Sequence, residues 1–166
     1  MKPHVPRMRA LLCSALLGLL CGVGHADALD DAVNARNRGD YAAALTQFRQ
    51  LANAGNAAAA FQLSLLYANG QGVRADARES VRWLRTAAAQ GYAQAQSNLG
   101  VAYAKGRGVV QDDSRAYVWF SLAAAGGDTV ALTNRDLAAR KLNAQQMKQA
   151  SALLAQCQGP HLDACL

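Results

Sequence analysis

At 166 residues the chain has the length of one domain. Its formal net charge is +6, but the arginines are spread along the chain. No dense basic stripe carries interleaved aromatics, which argues against a nucleic-acid partner.

The chain begins with Lys2, Arg7 and Arg9, then the apolar run ALLCSALLGLLCGVG over 10–24, then GHA ending at Ala26. That order of basic, apolar and small residues reads as a secretory signal peptide over 1–26. The run is too short to serve comfortably as an anchor. Cys21 follows Gly18-Leu19-Leu20, without the small residue that usually precedes a lipoprotein cysteine. Cleavage is placed after Ala26, giving an exported, periplasmic or secreted chain that starts near Asp27 and has no stable membrane insertion. The segment holds three of the 17 basic residues and none of the 11 acidic ones, so 14 face 11 afterwards, a net +3.

Residues 27–157 read as helical repeats, beginning with a hairpin over 29–55 whose turn falls at Gly39. Arg38-Gly39-Asp40 spells an adhesion tripeptide, but a turn between helices accounts for it. Sliding the chain by 36 then sets 55–90 against 91–126, with 14 of 36 positions identical. Eight of those are not alanine: Gly55/Gly91, Leu63/Leu99, Tyr67/Tyr103, Gly70/Gly106, Gly72/Gly108, Val73/Val109, Asp76/Asp112 and Trp83/Trp119. A fixed period of this size marks a helical array, with repeats at 56–91 and 92–127.

Each repeat reads as two helices. Leu63, Leu66 and Tyr67 share a face of the first, Gly70 ends it, and Asp76 caps the second with Glu79 as a capping-box partner. Val73 and Val109 are expected to plug the turns into the core. The Gly-x-Gly elements Gly70/Gly72 and Gly106/Gly108 follow helices, not strands. They lack both the third glycine of a dinucleotide fingerprint and the Gly-Lys-Ser/Thr of a phosphate loop, so they are turns and no cofactor is expected. Residues 128–157 read as a diverged capping pair, polar on much of its surface, and 158–166 as a tail.

These residues resemble the Sel-1-like repeats, relatives of the tetratricopeptide repeats. The second unit matches the family pattern at Ala95, Leu99, Gly100, Tyr103, Gly106, Gly108, Val109, Asp112, Ala116, Trp119, Ala123, Ala124 and Gly127; the first departs at Ser64 and Ser80. The resemblance implies an all-α fold, a right-handed α/α solenoid of antiparallel helix pairs, with Tyr67, Gly70, Gly72, Trp83, Tyr103, Gly106, Gly108 and Trp119 as scaffold. It also implies a binding module. Gln62, Asn98 and Asn134 share one repeat position on the first helices. Their carboxamides donate and accept, so a ladder of them could hold the backbone of an extended peptide. Asn69 and Lys105 would stand near the rim of that groove.

Catalytic chemistry is sparse. Past the signal the one histidine is His161, so no Ser-His-Asp set can be built on the repeats without it, and an enzyme is not expected. Cys157, His161, Asp163 and Cys165 could ligate zinc, but export favours a Cys157–Cys165 disulfide. Tyr92 and Tyr117 do not recur and are expected to be freer for surface contacts. Two alternatives stand beside the interaction module. One is a hydrolase related to cysteine-rich family members linked to β-lactams, although those carry a cysteine pair in each repeat. The other is a structural protein that self-associates end to end.

Overall fold

The computed structural model describes residues 20–157, which form eight α-helices and no strand. They are α1 (Leu20–Asn37), α2 (Tyr41–Asn53), α3 (Ala57–Asn69), α4 (Ala77–Ala89), α5 (Ala93–Lys105), α6 (Asp113–Ala125), α7 (Thr129–Ala139) and α8 (Ala144–Gln156). The part of the expected signal segment before Leu20 and the tail after Cys157 lie outside the described residues. α1 runs through the expected cleavage point; a cut after Ala26 would leave the part that buries Ala32 and Ala35. Among the described residues no helix is long and apolar enough to cross a membrane.

Consecutive helices pack in order through α7, which makes the fold an α/α solenoid. Short residues make this stack close. Ala44, Ala59, Ala60, Ala87, Ala88, Ala95, Ala116 and Ala123 are buried, and Phe48, Leu63, Leu66, Leu99, Val118 and Trp119 fill the space between them. Ala at a contact lets helix axes approach while giving up no side-chain entropy.

The caps are local. Asp40, Asn56, Asp76, Asp112, Asp128 and Asn143 each accept a hydrogen bond from a backbone N–H in the first turn of the helix they precede. Asp76 does so without the expected capping box. Its own N–H already donates to the Tyr67 carbonyl at 2.9 Å, so Glu79 has nothing to accept there and pairs instead with Arg82 at 3.0 Å. Asp112 repeats the arrangement, its N–H donating to the Tyr103 carbonyl at 3.0 Å. Each of these bonds ties the end of a first helix to the start of its partner.

The second glycine of each loop does more than turn. Gly72 and Gly108 have φ of +71° and +72°, a left-handed backbone that favours glycine. A Cβ on Gly72 would stand 2.5 Å from the Tyr41 carbonyl oxygen, and one on Gly108 2.2 Å from that of Ala77. Each loop therefore rests on the first residue of the preceding second helix. Val109 is half-buried against the core, whereas Val73 is half-buried without joining it.

The last pair departs from the plan. α8 packs chiefly on α6 rather than on α7. With no Gly-x-Gly loop between them, Lys141 reaches back to Asp113 of α6 at 3.0 Å. The sequence suggested a polar cap, but α7 buries only Ala131 and Ala138 and leaves Val130 and Leu137 more than half exposed, with Leu132 nearly so.

Candidate functional site

Repeats are joined by a recurring clamp. Arg49 of α2 donates to the Tyr67 hydroxyl of α3 at 2.8 Å, and Arg85 of α4 to the Tyr103 hydroxyl of α5 at 2.9 Å. Both partners recur at the 36-residue period. One period on, the positions hold Ser121 and Ala139, so the clamp stops where the last pair begins. Arg115 also donates to the Tyr103 hydroxyl, at 3.2 Å, and lies over its ring. Trp119 is fully buried; Trp83 is buried beneath the Arg82 guanidinium, 4.1 Å from its ring centroid.

The three carboxamides occupy corresponding positions on α3, α5 and α7, and each is half-buried. Their surroundings differ. Gln62 accepts from Arg36 of α1 through its Oε1. Asn98 makes no side-chain hydrogen bond with the described residues and lines a cavity of about 250 Å³ bordered by α3, α4 and α5. Neither Gln62 nor Asn134 lines that cavity. Asn69 and Lys105 are exposed at the ends of their helices, where a lysine complements the helix dipole. Tyr92 is not a free surface group: it is half-buried with its ring centroid 5.3 Å from that of Phe61. Tyr117 is likewise half-buried against the core.

The cavity has a cause in the sequence. In the second repeat Gly100 meets Phe120 so closely that a Cβ on the glycine would stand 2.7 Å from the ring. In the first repeat the corresponding residues are Ser64 and Leu84, and Tyr117 is replaced by Val81. All three of these first-repeat residues, together with Ser80, border the cavity. Leu84 and Val81, smaller than the Phe120 and Tyr117 they replace, leave space unfilled that Ser64 does not take up. Arg107, exposed between the two glycines of the second loop, also lines it. No acidic residue lines it. The family resemblance pointed to Asn98, but not to Arg107 or to this space. The signal that could have found them was the joint departure of Ser64, Ser80 and Leu84 from the second repeat.

Among the described residues no three of His, Cys, Asp and Glu come together as a metal-binding group. Cys157 is fully buried at the end of α8, and Cys165 lies outside the described residues.

The model of the Sel1 repeat matches residues 57–92 and 93–128. A solved Sel1 repeat protein from Oxalobacter formigenes is 30% identical, with a TM-score of 0.55; the match covers 65% of this chain and 96% of that one. A protective antigen present in uropathogenic Escherichia coli strains, displaying an SLR fold, is also 30% identical, with a TM-score of 0.76. That match covers 85% of this chain, which spans 31% of the antigen's length. No curated protein matches the sequence.

Proposed function

The chain belongs to the Sel1 repeat family, and on that premise we propose that it is an exported adaptor that binds a peptide or another protein on its solenoid surface. Sel1 repeats commonly mediate protein–protein interaction. The observation that carries the reading here is Asn98, a half-buried carboxamide with no hydrogen bond to the described residues, lining a cavity between helices. A polar group held in a concave, largely apolar setting is how small sites fix the orientation of what they bind. Export is supported by the basic, apolar and small order of the first 26 residues. The Cys157–Cys165 pairing is supported by an oxidising compartment and by the full burial of Cys157.

The test is capture from an envelope extract with the exported chain as bait, beside the variant with Gln62, Asn98 and Asn134 all changed to Ala. One saturable partner, lost with the variant, is the expected result. Unchanged capture would sink the carboxamide assignment. N-terminal sequencing of the exported protein should begin at Asp27.

A second reading, association with another copy, is favoured by α7, which leaves the large apolar side chains Val130, Leu132 and Leu137 exposed. Sedimentation at rising concentration should then show a dimer, and Leu137→Lys should abolish it. A monomer at every concentration would remove this reading.

A further inference from the structure

The cavity bordered by α3, α4 and α5 has a chemistry of its own. Its walls are aliphatic: Leu65, Val81, Leu84 and Val101, with alanines between them. Its volume of about 250 Å³ exceeds the roughly 150 Å³ that accepts a benzene ring in a dry apolar cavity, so a branched aliphatic side chain fits. Arg107 is the sole charged residue lining it, and it makes no ion pair and no side-chain hydrogen bond with the described residues. The Asn98 carboxamide likewise has no partner. The Ser80 hydroxyl, on the same wall, makes no hydrogen bond either, whereas that of Ser64 donates to the Phe61 carbonyl at 2.6 Å. An apolar hole lined by one guanidinium and one carboxamide that bond to none of the described residues is complementary to three groups: an aliphatic side chain, a carboxylate and an amide.

We infer that this cavity receives the C-terminal residue of a peptide, a free carboxylate on an aliphatic amino acid. The side chain enters between Leu84 and Val101, the carboxylate pairs with Arg107, and the last peptide amide bonds to Asn98. This rests on the reading of the protein as a peptide-binding module and names the class of peptide. It also confines recognition to Asn98 among the three carboxamides.

The probe is N-acetyl-Gly-Gly-Leu with a free carboxylate, titrated into the 15N-labelled chain at millimolar concentration and followed by amide shifts. Saturable shifts around Ser64, Asn98 and Arg107 are expected. The same peptide with a C-terminal amide should bind at least tenfold more weakly, as should Arg107→Gln with the original peptide. Isovalerate carries the carboxylate and the branched chain but no amide. Binding as tight as the peptide's would make the ligand a free acid and overturn the assignment. The decisive variant is the pair Ser64→Gly with Leu84→Phe, which copies the packing of Gly100 against Phe120. It should keep its melting temperature within a few degrees and lose the shifts. Undiminished binding by that folded variant, or no shift in the parent chain, overturns the proposal. Capture of an envelope partner that is lost with Gln62→Ala or Asn134→Ala but not with Arg107→Gln would leave the adaptor reading standing while removing this one.

Discussion

Where α5 crosses α6, Gly100 lets the Phe120 ring lie against the helix backbone; where α3 crosses α4, Ser64 and Leu84 hold the same positions and a cavity remains beside them. The backbone plan is common to both. Each repeat has a left-handed loop glycine seated on the preceding second helix, an aspartate cap tied to a tyrosine carbonyl, and an Arg-to-Tyr clamp. The difference teaches that the repeat specifies its helix ends and junctions independently of the volume between the two helices. One unit is free to be packed tightly while its neighbour keeps space for a ligand.

Removing the largest side chains should separate the two units most. Trp119→Ala should cost about 4 kcal/mol, because the ring is fully buried and its loss leaves a cavity that close-packed neighbours cannot fill. Trp83→Ala should cost nearer 3 kcal/mol, since its ring lies beneath an exposed arginine. Urea denaturation of the two variants checks the order, and equal losses would blur the contrast. Gly108→Ala should cost about 3 kcal/mol, combining a left-handed backbone with a backbone clash, and Gly72→Ala should behave alike, because that contact is common to both loops.

A sharper comparison exchanges the helix contact itself. Gly100→Ser drives a side chain into Phe120 and should cost about 2 kcal/mol. Ser64→Gly, with only Leu84 opposite, should cost about 0.5 kcal/mol through helix propensity. Calorimetry on the pair would read the difference directly, and a reversal would show that the cavity is not where the first repeat is loose. The smallest effect is expected at the last junction. Lys141→Ala removes an ion pair with Asp113 that is partly exposed and should cost at most about 0.5 kcal/mol, but it should raise amide exchange in α7 and α8 before the repeats respond.

Much of the fold was legible because its determinants are local and recur. Glycine at helix ends, aspartate at helix starts and tyrosine on the buried face each leave a mark at a fixed offset. What escaped depends on pairs that are distant in sequence. Gly72 meets Tyr41 and Gly108 meets Ala77, contacts that a turn motif does not announce. The capping box at Asp76 failed because the Tyr67 carbonyl had already taken the N–H that Glu79 would need. The carboxamide positions were found as a register, but register does not reveal that Gln62 is held by Arg36 while Asn98 borders a cavity. The Arg-to-Tyr clamp was within reach: Arg49 and Arg85 repeat in step with Tyr67 and Tyr103, although Arg49 falls just before the matched segments begin at Gly55. The exposure of Val130, Leu132 and Leu137 on α7 was hidden because they do not fall on one helix face, so no amphipathic stripe marked the segment.

The seating of each loop glycine on the preceding helix has a genetic consequence. A tandem duplication of 36 residues carries both halves of that contact in one segment. The glycine fits the helix start of the copy before it, and its own helix start receives the glycine of the copy after. A gene of this kind can therefore lengthen by whole units without inventing an interface, each new copy being free to drift in the volume between its helices.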